Sequence, residues 1–461
     1  MAELRLKDIA AATAGTILAG DPGLSFRAYG IDSREAAAGA LFFALRGARD
    51  GHDFIPDAAA RGAAGAVVSR EVASPRPGFA LVRVADTVRA LQDLARSVLA
   101  GRRVAVVGIT GSTGKTTTKE FAAALLGARF RVLKSEGNLN NHLGLPLSLL
   151  RLDPRDEVAV LEMGMSAAGE IRVLTAVAPP DVAVITNIYP VHLEFFSGLE
   201  AIALAKKEIL DGARPDGVAV LNADDPWVEK IAGDWRGRRV TFGFGAKGDV
   251  RAAGVRAKGY DGLSFELLYG RDKAALELPF FAASFLQDFL AAAAVAKAMG
   301  LGLGEVRTRV AGLAPLAMRG VLVRLAGDVR LLDDSYNSNP KALEDALLSL
   351  VRLPAKRKVA ILADMLELGP ESASFHERAG RLVRQAGWDV LVAVGPLARK
   401  MAEAARAEGM PAAAVLTYPD ADAAAASVLD FVRDGDLVLV KGSRGMKTEK
   451  VVARLKAGRK E

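Results

Sequence analysis

Short runs of valine, isoleucine, leucine and alanine recur along the chain, each stopped by glycine or polar residues and followed by helical periodicity. Val104–Thr110, Glu157–Leu161, Asp181–Asn187, Val359–Ala363, Val390–Val394 and Leu437–Val440 are of this kind. Such alternation predicts an α/β protein whose sheets are mostly parallel, with helices on their faces. The pattern falls into three units. Residues 1–100 predict a small α/β unit, with a short helix over 4–12, an apolar strand over 63–69 and a linker helix over 91–100. Gly101-Arg-Arg103 is the first boundary. Residues 101–318 predict a central unit with the main parallel sheet. Within it, alternating runs between 238 and 279 read as an inserted β-meander, and closing helices are expected over 285–298 and 304–311. Met318-Arg-Gly320 is the second boundary, after which residues 319–461 return to strand–helix alternation.

The stretch from Val104 to Lys119 carries the clearest chemistry. A β-branched strand stops at Gly111-Ser-Thr-Gly-Lys-Thr-Thr117, and a helix-compatible segment follows. Glycines let backbone N–H groups close on a polyphosphate, and a helix N-terminus adds partial positive charge. Lys115 can reach outer phosphates and Thr116 can offer a hydroxyl to Mg²⁺. The strict phosphate-loop spacing fails, because Ile109 stands where the first glycine is expected. The strand context still favours an ATP site over a plain turn.

Composition narrows the class. The chain has 461 residues, half of them hydrophobic, which fits roughly two to four soluble domains. The formal charge is +7, but 61 basic and 54 acidic residues are interspersed, so no nucleic-acid face is indicated. Zero cysteines exclude disulfides and thiolate chemistry and fit a reducing cytoplasm. No signal peptide and no spanning apolar run are visible, so membrane insertion is not expected.

Other polar loops fall at the carboxyl ends of predicted strands, the edge where open α/β sheets bind ligands. Gly137-Asn-Leu-Asn-Asn141 offers amide donors and acceptors, although capping and turn roles would need no ligand. Glu162, at a strand end near the phosphate loop, stands where a Mg²⁺ carboxylate belongs. His192 is one of four histidines and follows another strand end. The segment 199–211 reads as a helix on which Lys206 and Lys207 would by default be solvated. In the third unit, Asp333-Asp-Ser-Tyr-Asn-Ser-Asn-Pro340, Asp364-Met-Leu-Glu-Leu-Gly369 and Lys441-Gly-Ser-Arg444 open after strands. Pro340 suits a first helical turn. In the first unit, Ile31-Asp-Ser-Arg34 and Asp50-Gly-His-Asp-Phe54 place turn formers near aromatics and arginines. Solvated loops account for them equally well.

Taken together, these motifs resemble the Mur ligases, the ATP-dependent amide ligases of peptidoglycan synthesis. The likeness runs through all three units and extends to Asn187, His192 and Ala205-Lys-Lys-Glu-Ile209; the family's phosphate loop has the same spacing as this one. The resemblance implies an N-terminal UDP-binding domain (1–100), a central ATPase domain (101–318) and a C-terminal Rossmann-like domain (319–461). Ser33 and Arg34 would lie near the uridine end of a UDP-muramoyl substrate, with Asn138 and Asn141 by its nucleotide-sugar peptide. Gly111, Ser112, Thr113, Gly114, Lys115, Thr116 and Thr117, with Arg319 and Asp334 from the C-terminal side, would hold ATP. Thr116, Glu162 and His192 would be Mg²⁺ ligands, joined by Lys206 as the lysine that the family carbamylates. Lys115, His192 and Lys206 would thus be the catalytic set. The Tyr336 and Glu367 motifs imply D-alanyl-D-alanine and UDP-N-acetylmuramoyl-tripeptide as substrates, and a monomer is expected. One stretch departs: family members usually show Gly-x-His-Asn-x-x-Asn in the helix that contacts adenine, where this chain has Ala282-Ala-Ser-Phe-Leu-Gln-Asp288. A sibling ligase adding one amino acid, or a non-catalytic relative that binds the peptide, are the rival readings. A GTPase or nucleic-acid motor is remoter, since no guanine-reading Asn-Lys-x-Asp is present.

Overall fold

The computed structural model describes residues 2–460. Each of the three units carries its own sheet. In the first, five strands run in the order Thr16–Ala19, Ala80–Arg83, Gly65–Val68, Leu41–Phe43, Tyr29–Gly30, parallel except for the first pair. The expected N-terminal helix is shorter, Leu6–Ala12, because Leu4–Arg5 is a strand paired with Ser25–Phe26. The linker helix starts earlier than its hydrophobic pattern suggests, at Thr87. There the Asp86 carboxylate accepts hydrogen bonds from the N–H groups of Val88 and Arg89. Its buried Leu91, Leu94 and Val98 share a core with Leu145, Leu149 and Leu174, so the first unit is packed on one face of the central sheet.

The central sheet has nine strands. From one edge the order is Val132–Lys134, Val158–Glu162, Ala105–Thr110, Val182–Ile185, Val218–Asn222, Arg238–Gly243 and Val250–Ala257, all parallel neighbours, then Leu263–Tyr269 and Asp272–Leu278, both antiparallel. The 238–279 region is therefore no separate insertion. Its first strand pairs parallel to Val218–Asn222, and the meander extends the same sheet. The alternation of Leu263–Tyr269, buried at every second residue, reflects an edge with one face on the core. Two helices cover that face, Lys115–Leu126 and the alanine-rich Ala283–Ala298, whose fully buried Ala291–Ala294 lie in the same core as Phe121 and Leu125.

The third unit orders six strands as Val321–Leu325, Val329–Asp334, Asp436–Lys441, Arg357–Ala363, Val390–Val394, Val415–Tyr418, parallel after the first pair. Separate apolar cores fill its two faces. Pro340 opens the helix Pro340–Leu350, and the Asn339 side chain accepts a hydrogen bond from the Ala342 N–H. Among the described residues no helix is long and apolar enough to cross a membrane.

Candidate active site

The phosphate loop leaves the strand Ala105–Thr110 at Gly111, whose φ is +153°, and enters the helix Lys115–Leu126 through Gly114, whose φ is +78°. Neither position tolerates a side chain. A Cβ on Gly111 would fall 1.8 Å from Thr186 Oγ1, and one on Gly114 would fall 2.0 Å from Asp288 Oδ1. The loop is braced by the neighbouring strand end. Ser112 N–H donates to the Asn187 carbonyl (3.0 Å), Thr113 N–H to Asn187 Oδ1 (2.8 Å) and Thr186 Oγ1 to the Thr113 carbonyl (2.7 Å). Ser112 Oγ donates to the Tyr189 carbonyl and accepts from Tyr189 N–H. Asn187 therefore holds the loop's shape, a role that the sequence left open.

Lys115 Nζ donates to the Gly111 carbonyl at 2.8 Å, across the mouth of the loop. Burial draws its pKa below the usual lysine value, with Glu162 opposing and Arg319 reinforcing the shift. Thr116 Oγ1 donates to Glu162 Oε2 at 2.8 Å, so the strand end Val158–Glu162 and the helix start meet through an oxygen pair. The other carboxylate oxygen of Glu162 accepts from Asn140 Nδ2 at 2.8 Å. Of the three asparagines after Gly137, this middle one is bonded to Glu162. Asn141 spends its side-chain oxygen on the N–H groups of Leu143 and Gly144 at the start of the helix Gly144–Leu149, and Asn138 is exposed.

His192 has a φ of +56°, and its Nδ1 lies 2.6 Å from Glu367 Oε2 of the third unit. Burial and then Lys115 lower its pKa, with Glu367 opposing. Lys206 overturns the default expectation of a solvated lysine. It is 2% exposed on the helix Leu199–Asp211, whereas Lys207 reaches the surface and pairs with Asp211. Burial, then the charge of Lys115, drops the pKa of Lys206 well below its usual value.

Ser112–Thr117, Asn138, Asn141, Glu162 and His192 line a cleft of about 500 Å³. Its far wall is the third unit: Arg319, Asp334, Tyr336, Asn337 and Lys441. Asp334 Oδ2 accepts from Lys441 Nζ at 2.6 Å; burial raises the acid's pKa and Lys441 pulls it back. The departing 282–288 stretch also lines the cleft, through Ser284, Phe285, Gln287 and Asp288 at the start of the helix Ala283–Ala298. Burial pushes the Asp288 carboxyl well above the usual carboxylate range, against the pull of Arg319 and Thr117. A carboxylic acid that keeps its proton has one donor and one acceptor, as an amide does. Ser33 and Arg34 stand apart in the first unit. They do not line this cleft, and Arg34 is held by Asp32 at 2.6 Å. Asn140 and Asn187 are cleft or cleft-side residues to which sequence reasoning gave no individual role, and Tyr336 and Glu367 entered only as members of motifs that point to the substrates.

Comparison with known proteins covers the whole of this architecture. Residues 25–98 match the Mur ligase family catalytic domain, 109–296 the Mur ligase middle domain, and 318–444 the Mur ligase glutamate ligase domain. The UDP-N-acetylmuramoyl-tripeptide–D-alanyl-D-alanine ligase of Bacillus subtilis (strain 168) is 35% identical over 423 residues, 91% of each chain. A crystal structure of MurF from Acinetobacter baumannii superposes with a TM-score of 0.90 at 30% identity, covering 99% of both chains. MurF ligase from Thermotoga maritima, solved in complex with ADP, gives 0.81 at 31% identity, over 94% of this chain and 97% of that one.

Proposed function

This chain belongs to the Mur ligase family, and we infer that it uses ATP to join D-alanyl-D-alanine to UDP-N-acetylmuramoyl-tripeptide, releasing ADP and phosphate and giving the pentapeptide precursor of peptidoglycan. The observation that carries this reading is the two-sided cleft. A braced phosphate loop with Thr116 and Glu162 in contact faces Arg319, Asp334 and Lys441 of a second α/β unit.

Amide formation from a carboxylate and an amine is uphill in water, so the carboxylate must be activated. The γ-phosphoryl group passes to the terminal carboxylate of the tripeptide; the P–O bond to ADP breaks as one to the carboxylate oxygen forms. The dipeptide amine then attacks the acyl carbon. A C–N bond forms, the nitrogen loses a proton, and the C–O bond to phosphate breaks. Phosphoryl transfer is catalysed mainly by positioning and charge stabilisation. Lys115 at the loop mouth and Arg319 across the cleft are the cations for that work, with Gly111–Thr117 as the cradle. Asp334, held by Lys441, would face the nucleotide from the C-terminal unit.

The family implies Mg²⁺, and the donors present fit it. Thr116 and Glu162 bring two hard oxygen donors together, while no group of three or more acidic or histidine side chains among the described residues could hold a metal unaided. Mg²⁺ characteristically takes one or two protein carboxylates and completes its shell with phosphates and water. When bound, it would neutralise phosphoryl charge. His192 would be a further ligand on this reading. Lys206 fits carbamylation: a dehydrated amine beside another cation favours the neutral form that attacks CO₂. Addition of CO₂ to the neutral amine, with loss of a proton, would give a carboxylate-like anion that the charge of Lys115 favours. Asn138 and Asn141 line the cleft where the muramoyl peptide would lie, and Ser33 and Arg34 of the first unit would take its uridine end. On this reading the chain works as a monomer in the cytoplasm, where ATP is supplied.

The reading is tested by phosphate release from ATP with UDP-N-acetylmuramoyl-tripeptide, with and without D-alanyl-D-alanine. Release should require both. Equal release with a single amino acid as acceptor would reassign the chain to a sibling ligase.

A further inference from the structure

We propose that Tyr336 is a positioning residue that holds Arg319 at the outer-phosphate end of the nucleotide site and ties its placement to the third unit; this rests on the ATP-ligase reading above.

Arg319 sits on the strap that joins the central and third units, between two residues of left-handed backbone, Met318 (φ +63°) and Gly320 (φ +69°). A Cβ on Gly320 would lie 2.7 Å from the Phe285 ring, so the strap is pressed against the central unit. From the other side, Tyr336 N–H donates to the Met318 carbonyl at 3.0 Å. The Arg319 guanidinium carbon stands 3.9 Å from the centroid of the Tyr336 ring. Among the described residues the guanidinium has no ion pair and no side-chain hydrogen bond; the ring is its one close polar-face contact. Tyr336 in turn makes no hydrogen bond through its hydroxyl within the described residues, so the ring face is the part in use.

This arrangement solves a specific problem. A long arginine side chain must be fixed in place without spending its N–H donors. A carboxylate partner would fix it but would neutralise the charge and compete with phosphate. Stacking on an aromatic face restrains the plane and leaves all the donors free. Arg444 shows the contrast: it lies 5.8 Å from the same ring, but its guanidinium is committed to Glu449 at 3.0 Å. Both Arg319 and Tyr336 line the cleft opposite Lys115, the residue that reaches the outer phosphates. The influence of Arg319 on Lys115, Asp288 and Asp334 agrees with that position.

The experiment measures affinity of the full chain for ADP and for an ATP analogue with a methylene between the β and γ phosphorus atoms, by calorimetry. Tyr336→Leu should weaken the analogue by about tenfold and ADP by no more than about twofold, while Tyr336→Phe restores the analogue to within about twofold. Arg319→Ala should lose the same preference, and adding Tyr336→Leu to it should cost nothing further. A merely structural tyrosine would weaken both nucleotides together, which overturns the proposal. So do unchanged analogue binding in Tyr336→Leu, a phenylalanine variant as weak as the leucine one, or additive losses in the double variant. Should the leucine variant not fold, Arg319→Lys interrogates the other side of the stack. It keeps the charge but not the planar face, so wild-type discrimination would overturn the proposal and lost discrimination supports it. If the wild type bound neither nucleotide, the ligase reading would fall, and this inference with it.

Discussion

Replacing Lys206 by methionine removes an ammonium and keeps an unbranched apolar stem. The native side chain is 2% exposed, and burial followed by repulsion from Lys115 places its pKa well below the usual lysine value. In CO₂-free buffer the unfolded chain therefore binds more protons than the folded one, between that lowered value and the unfolded pKa of about 10.4. Stability should rise with pH across that window, by up to about 1.4 kcal/mol per pH unit, and level off above it. Lys206→Met has no such slope. At neutral pH it should be the more stable protein by ~1–3 kcal/mol, the cost of an unpaired buried polar group. In a unit of roughly 200 residues, each kcal/mol moves the unfolding midpoint by about 2–4 °C. Bicarbonate should then stabilise the wild type and not the variant, because only the wild type has an amine that, once neutral, can add CO₂ and release a proton to give a carbamate. The methionine variant should also lose nearly all ligation. The assay is thermal unfolding against pH, with and without bicarbonate. Parallel pH profiles, indifference to bicarbonate and retained ligation would together refute both the burial argument and the carbamate.

Three further outcomes test the cleft. Lys115→Ala should lower kcat by more than tenfold, a loss above about 1.4 kcal/mol; a variant that keeps a tenth or more of the wild-type rate removes the loop lysine from phosphoryl transfer. Glu162→Gln should fold normally yet need more Mg²⁺, since an amide is a poorer ligand for a hard cation, and an unshifted Mg²⁺ titration would exclude Glu162 from the metal site. Asn187→Ala strips the Thr113 N–H of its 2.8 Å acceptor. It should cost ~1–3 kcal/mol in denaturant unfolding and raise KM for ATP more than for the muramoyl peptide; equal changes in both KM values would contradict loop bracing.

The phosphate loop was legible because its chemistry is local: glycines, a lysine and a threonine must follow a strand and open a helix, and they do so within a few residues. Pro340 after Asn339 was legible for the same reason. The place of Arg238–Gly243 in the main sheet was not, because its partner, Val218–Asn222, is chosen by the sheet and not by its own alternation. Helical pattern alone could not separate Lys206 from Lys207, because adjacent helical residues point about 100° apart and only the packed neighbours decide which faces inward; Lys206 was singled out by the family resemblance. The asparagines of 138–141 are chemically alike. The turn alone sends Asn140 to Glu162 and makes Asn141 a helix cap.

The division of cations between units has a physical consequence. Lys441 is neutralised by Asp334, which leaves Lys115 on the central unit and Arg319 on the strap as the charges aimed into the gap. Each disfavours the other: Arg319 contributes to the lowered pKa of Lys115. Drawing the units together therefore works against like charge until something anionic lies between them. An anion between them relieves that repulsion, and a triphosphate has an outer phosphate that can meet both cations at once. ADP, lacking the outer phosphate, holds the two sides together less well. The same electrostatics that stabilise phosphoryl transfer thus hold the two walls of the cleft together through the nucleotide, beside the contact between Glu367 and His192 that already links the units.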